Sequence, residues 1–411
     1  METTTFTSYS HPFTLSVLDN GLTVATVPNK ETIGFHCRYV IRAGGFSDPI
    51  PGTAHFLEHL IYTGPSRKGI HPLLRSHMLK GGDGNAGTNL YSTSYYVNGL
   101  LEHLEEALNG LCTLCTQPSF TRQLVKEERD IIIEEERARG RDPYNSWEEA
   151  MLYPTNLRLQ IPLPGSAIHI EAIRYEELME FYGATYRSGN ALLIVSGNIE
   201  HERILELAAK QPQLPEGERT QPPPDDAPRL GTWTCRNPEM KPRVIVYTAM
   251  PQDEVAGTRT LMALDYLTDP AFGPLYYELR QRERIIYSLK VRDHGKPFNE
   301  LGLQIAAPSS KLAFICSRVY AHLSDLRDGN VNEDSFMRLK ALTQLQHDSR
   351  NERSVGGVVE TITRHWVHDE LNDSTLWPEF LATTREDLVD VARKHLHLDN
   401  LGTIFVYDRD E

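Results

Sequence analysis

Two histidines four residues apart, with a glutamate between them, make up the stretch His55-Phe56-Leu57-Glu58-His59. On a helix of about 3.6 residues per turn both imidazoles point the same way, and Glu58 falls about one turn past His55 on the same broad side. This set can grip a divalent metal ion with a carboxylate beside it, in the reverse order of the His-Glu-x-x-His pattern. The chemistry it could support is hydrolytic. A bound ion lowers the pKa of water to about 7, and a neighbouring carboxylate can accept the proton.

Two imidazoles do not complete such a site, which needs a third protein ligand and one open position. The segment Thr121 to Arg139 reads as a helix and offers Glu127, Glu128, Glu134, Glu135 and Glu136. Stepping about 100° per residue from Leu124 puts Glu128 near ~40°, Ile131 near ~−20° and Glu135 near ~20°, whereas Glu134 falls near ~−80° and Glu136 near ~120°. Glu128 and Glu135 therefore share the stripe of Leu124 and Ile131, expected to face inward. A buried carboxylate is costly without a partner. An ion would satisfy Glu135, and a metal-bound histidine would satisfy Glu128.

The elements that must position these groups can be read in part. Pro51-Gly52 breaks the chain, Thr53 is the expected N-cap and Gly64 the expected stop of the histidine helix. Alternating residues 13–18, the Asn20-Gly21 turn, and the runs 22–27 and 36–42 read as strands. A helix is expected around 72–80, ended by Gly81-Gly82-Asp83-Gly84. That glycine-rich loop lacks the Lys-Ser/Thr of a phosphate cradle, so nucleotide binding is not expected. Further elements follow: a strand at 91–97, helices at 101–117, 121–139, 174–185 and 201–210, and a strand at 191–195. Residues 211–229 hold six prolines and read as a linker. Beyond it come a strand at 244–248, a helical region 259–284 interrupted at 270–274, strands at 285–292, 302–306 and 312–316, helices at 317–327, 333–350, 357–370 and 386–396, and a last strand at 403–407. The expected domains are residues 1–212, a linker 213–230 and residues 231–411.

Composition sets limits. The 411 residues allow more than one domain, and 40% hydrophobic with 24% charged residues is ordinary for a globular chain. A net charge of −14 argues against nucleic acid and an anionic membrane surface as partners. No run is long enough for a membrane span, and the polar start shows no leader pattern. Cys37, Cys112, Cys115, Cys235 and Cys316 are few and odd in number, which fits reduced thiols and a cytoplasmic setting. Cys112 and Cys115 sit among Leu108, Leu111 and Leu114, so packing is expected rather than a zinc ribbon.

His55-x-x-Glu58-His59, followed by Glu128-Arg129-Asp130-Ile131-Ile132-Ile133-Glu134-Glu135, resembles the pitrilysin (M16) family of zinc peptidases. The likeness is to the short-chain (M16B) branch, similar to the mitochondrial processing peptidase. Leu18-Asp19-Asn20-Gly21-Leu22 is similar to the family's opening hairpin. Gly82 to Thr88 with Thr93-Ser94-Tyr95-Tyr96 is similar to its Asn-Ala-x-Thr…Thr-x-Tyr-Tyr strand, and Arg280 and Tyr287 to its Arg and Tyr seven residues apart. Tyr91 stands where the family often has an acid, and Pro270 to Pro274 where it often has a Gly-rich approach. Both departures bear on substrate preference.

The resemblance implies an α+β fold of two similar-sized, pitrilysin-like lobes, each a mostly antiparallel sheet with helices on one face. It implies a zinc endopeptidase with one Zn²⁺ per chain on His55, His59 and Glu135. Glu58 would be the general base, with Glu128 behind the ligands. Arg280 and Tyr287 would stabilise the oxyanion and contact substrate. Asn85 and Ala86 would lie on an edge strand that pairs with an extended peptide. It further implies an enclosed chamber for unfolded peptides, built by two chains as a homodimer or with another M16-like chain. The alternative is a non-catalytic partner subunit that has kept the fold.

Overall fold

A computed structural model describes residues 2–7, 9, 11–65, 71–139, 143–221, 226–352, 355–371 and 377–408. Two compact units result. The first comprises residues 1–141, 161–223 and 350–374; the second comprises 142–160, 224–349 and 375–411. The expected division at a single 213–230 linker is therefore corrected. Two further stretches cross over, and much of the proline-rich segment is docked rather than free. Leu214 is buried, Ser188 donates its N–H to the Pro215 carbonyl, and the Thr220 hydroxyl bonds Asn190. Residues 222–225 of that segment lie outside the described residues.

The first unit is built on seven strands: β1 (Glu2–Phe6), β2 (Phe13–Val17), β3 (Thr23–Pro28), β4 (Gly34–Ile41), β5 (Asp83–Thr88), β6 (Thr93–Leu100) and β7 (Ala191–Gly197). Their order is β1-β2-β3-β7-β4-β6-β5, antiparallel except for the parallel pair β3 and β7. Every residue of β7 is buried, as a central strand covered on both faces requires. Leu193 and Val195 face the main core with Val24, Cys37, Tyr39, Tyr95 and Val97. That core is closed by α1 (Thr53–Thr63), α2 (Pro72–Met78), α3 (Leu104–Thr116), α4 (Arg122–Arg139) and the helices Tyr175–Thr185 and His201–Ala209. Cys112 and Cys115 are buried there among leucines.

Leu192 and Ile194 point the other way, onto a second core with Phe13, Ala25, Val27 and Val40. Val358, Val359, Ile362 and Trp366 of the helix Val355–Val367 cover it. Helical periodicity alone identifies that helix; nothing local says which sheet face it will meet.

The second unit has a five-stranded sheet of β8 (Thr232–Arg236), β9 (Arg243–Ala249), β10 (Ser288–His294), β11 (Glu300–Ala306) and β12 (Gly402–Tyr407), in the order β10-β11-β9-β12-β8. Only β12 and β8 run parallel. Val244, Val246, Leu301, Leu303 and Ile305 pack beneath the helices Glu254–Thr268, Leu312–Arg327 and Arg385–His395. Here the expected strand 312–316 is corrected to the start of a helix. Leu312, Ile315, Val319, Leu323 and Leu326 are all buried at spacings of three and four, a helical period that a five-residue window does not reveal.

Candidate metal centre

The histidine helix forms as α1, but its cap differs from expectation. Gly52 is the N-cap, with φ of 97°, and Thr53 is the first helical residue. A side chain at Gly52 would place a Cβ 2.1 Å from the Pro164 carbonyl oxygen, so glycine is demanded twice over. Capping comes from Asp48, whose carboxylate accepts the N–H groups of Gly52 and Ala54, both at 2.7 Å. The acid also suits the positive end of the helix. Phe56, Leu57, Leu60 and Ile61 seat α1 in the core and direct His55, Glu58 and His59 to one side.

Facing them is α4. Leu124, Val125, Glu128, Ile132 and Ile133 are its buried positions. The expected inward stripe is thus rotated. Ile131 is 53% exposed, because the buried arc centres on Val125 and Ile132 and leaves Ile131 at its outer edge. Arg129 fixes the helix laterally, donating to the carbonyls of Ile170 and Ile173, with its guanidinium 5.9 Å from the Phe56 ring centre.

This packing brings the donors together. Nitrogen atoms of His55 and His59 and a carboxylate oxygen of Glu135 all lie within 4.8 Å of one another. The two rings are 4.7 Å apart between centres. His59 is held at both nitrogens: Nε2 is 3.4 Å from Glu135 Oε2 and Nδ1 is 3.4 Å from Glu128 Oε2. Glu128 is 5% exposed and meets the His59 ring at Nδ1, the nitrogen that does not face Glu135. Burial works to lower the His59 pKa. The hydrogen bond with Glu128 and the charges of Glu58, Glu135 and Glu128 outweigh it and raise the pKa. Three carboxylates around two imidazoles make the locality attractive to a cation. Two nitrogen donors with one carboxylate suit zinc.

Glu58 does not share the ligand cluster. Its Oε2 accepts a 2.9 Å hydrogen bond from the Thr88 hydroxyl, which reaches across from β5. Thr88 has no role in the sequence expectation beyond its place in the Asn-Ala motif. The available signal was its place three residues after Asn85 on a strand that passes the histidine helix. Thr88→Val keeps the shape and removes the donor. It is expected to lower kcat for peptide cleavage about tenfold, on the order of one charge-assisted hydrogen bond, with metal content unchanged. Steady-state kinetics with metal analysis would check this, and an unaltered kcat would deny Thr88 any such role.

Asn85 and Ala86 lie in β5, an edge strand whose only sheet partner among the described residues is β6. The expected glycine-rich loop at 81–84 is thus corrected in part, since Asp83 and Gly84 already belong to the ladder. Gly84 is needed there because a Cβ would stand 2.9 Å from the Tyr96 carbonyl oxygen. Asn85 is exposed and uses its side-chain oxygen to accept from the Ala86 N–H at 2.9 Å. Arg280 and Tyr287 belong to the second unit, and both are exposed. They are neighbours there, for Arg280 Nη1 donates to the Ile286 carbonyl at 2.5 Å.

Two sheet-plus-helix lobes, with one His-His-Glu cluster in the first, define the architecture of the metallopeptidases of the pitrilysin type. Residues 23–161 match the family model described as insulinase (peptidase family M16), and residues 172–343 match the one described as the peptidase M16 inactive domain. The chain belongs to peptidase family M16. It is 29% identical over 214 residues to the mitochondrial-processing peptidase subunit beta of Saccharomyces cerevisiae, covering 47% of this chain and 43% of that one. The chain thus spans less than half of that relative's length. It is 22% identical over 344 residues to an uncharacterized zinc protease of Rickettsia felis, covering 81% and 82%. The fold matches a protease from Helicobacter pylori with a TM-score of 0.77 at 19% identity, over 97% of this chain and 100% of that one. The inactive-domain label falls on the half in which, among the described residues, no His/Cys/Asp/Glu metal cluster occurs.

Proposed function

We propose that this protein is a zinc-dependent endopeptidase that hydrolyses peptide bonds in unfolded peptides. The observation that carries this reading is the meeting of His55, His59 and Glu135, with Glu58 held by Thr88 beside an edge strand. His55, His59 and Glu135 would hold one zinc ion per chain. The chemistry such an ion supplies when bound is Lewis acidity toward water and the scissile carbonyl.

The chain's own residues do the rest. Glu58 accepts the proton of the attacking water on its carboxylate and returns it to the leaving amine. The carbon–oxygen bond thus forms and the carbon–nitrogen bond breaks without a free amide anion. An extended substrate adds to the outer side of β5, where its backbone pairs with the strand and Asn85 bonds a peptide carbonyl near the cut. Glu128 keeps the His59 ring oriented through Nδ1. Arg280 and Tyr287, acting from the facing chain, donate to the oxyanion as charge develops. In this reading two chains enclose a chamber, as a homodimer or with another M16-like chain, in the cytoplasm. Similarity to a mitochondrial-processing peptidase subunit beta favours a partner chain.

Removal and return of the metal tests the reading. Purified protein should carry about one zinc per chain. Chelation should abolish cleavage of a quenched-fluorescent peptide library, and added zinc should restore it. Cleavage that survives complete metal removal would refute the proposal. One zinc per chain with no cleavage of any library peptide would point instead to a non-catalytic partner subunit.

A further inference from the structure

Arg280 sits on an unusual turn. Residues Tyr277–Arg282 are π-helical, and the Glu283 N–H bonds the Glu278 carbonyl at 2.9 Å. The Ile285 N–H reaches back to the Leu279 carbonyl at 3.1 Å. Arg284 then takes a positive φ of 54°, which reverses the chain. Such wide turns persist only where surrounding contacts hold them, and they recur at functional sites.

We propose that Glu278 is the positioning residue that holds Arg280, and through it Tyr287, in working geometry; the inference rests on the peptidase reading above. The Glu278 side chain is 6% exposed. Its Oε1 accepts from Arg318 Nε at 2.7 Å and from Arg282 Nη2 at 2.8 Å. Its Oε2 accepts from His322 Nε2 at 2.6 Å and from Arg318 Nη2 at 3.1 Å. Arg318 and His322 are four residues apart on one face of the helix Leu312–Arg327, so they act as a single clamp. One residue thus fixes the turn twice, by its carbonyl within the π turn and by its carboxylate to a helix 40 residues away in sequence.

The same contacts explain why Arg280 remains available. Both oxygens of Glu278 are occupied by other cations, so the nearest acid in sequence does not capture it. Among the described residues no carboxylate is within ion-pair distance of Arg280. Its one hydrogen bond there, to the Ile286 carbonyl, ties it to the residue before Tyr287. Burial by itself would raise the Glu278 pKa. The hydrogen bonds from Arg318 and His322 overcome that and hold it below the usual carboxylate range. The clamp is therefore ionic at neutral pH.

A double-mutant cycle on the full chain tests this, with cleavage of one peptide from the quenched library as readout. Arg280→Ala should lower kcat on the order of 100-fold, as loss of an oxyanion donor does. Glu278→Ala should lower kcat roughly 10- to 100-fold, the cost of a misplaced group, with KM within about twofold. The double variant should be no slower than Arg280→Ala alone, and Glu278→Gln should recover part of the loss. Zinc per chain should stay constant throughout. Multiplicative losses in the double variant, or wild-type kcat in Glu278→Ala, would overturn the proposal. If Glu278→Ala does not fold, the same cycle with Glu278→Gln decides it. Failure of the underlying reading looks different: Glu58→Gln would still cleave, or Arg280→Ala alone would cost nothing.

Discussion

Glu58→Gln should lower kcat for peptide cleavage by roughly 10³- to 10⁴-fold while the protein still binds one zinc ion. The amide has nearly the same shape and can still accept the Thr88 hydroxyl, so folding and the ligand cluster should be undisturbed. What it cannot do is take a proton from water. Stopped-flow or steady-state cleavage assays beside elemental analysis would separate the two effects. Substantial turnover in the variant would remove Glu58 from the role of base and leave the site without an evident proton acceptor.

Glu135→Gln should weaken zinc binding by more than about 100-fold, and Glu128→Gln by roughly 10- to 100-fold. The order follows from geometry. Glu135 supplies an oxygen to the cluster itself, whereas Glu128 reaches only the far nitrogen of His59. Loss of Glu135 deletes an anionic donor and leaves two imidazoles, too few for a stable site. Competition titrations against a chromophoric chelator would rank the variants. Equal affinity in Glu135→Gln and wild type would mean that the ion is held elsewhere. Activity should follow metal occupancy in both variants, which sets them apart from Glu58→Gln.

Much of the ligand set is legible in the sequence because helices are regular. Two imidazoles four residues apart must share a face, and angular steps along α4 separate Glu128 and Glu135 from Glu134 and Glu136. The same steps misjudge Ile131, since only three-dimensional packing reveals where a buried arc is centred. Distant partners are harder. Asp48 caps α1 from a separate turn, and Thr88 approaches Glu58 from a strand written as glycine-rich sequence. Asp48 sits four residues before Gly52, outside the usual cap position, and the Thr88 hydrogen bond joins two elements far apart in the sequence with no local signature. The residues 312–316 show the opposite limit. Their composition suits a strand, and only the continuation through Leu326 discloses the helical repeat. The resemblance to M16 peptidases supplied Arg280, Tyr287 and Asn85, which no spacing rule would have chosen.

The helix Val355–Val367 has a consequence for biosynthesis. It follows β8 to β11 of the second unit in the chain, yet its Val358, Val359, Ile362 and Trp366 cover the face of the first unit's sheet opposite the core closed by α1 and α4. Each fully buried side chain of this kind contributes about 1.5–3 kcal/mol. Until the ribosome has released residues past 367, Ala25, Val27, Val40, Leu192 and Ile194 stay bare on a nascent chain. A sheet whose last strand ends at Gly197 is therefore completed only after Val367 has emerged, and during synthesis it offers chaperones a greasy face to shield.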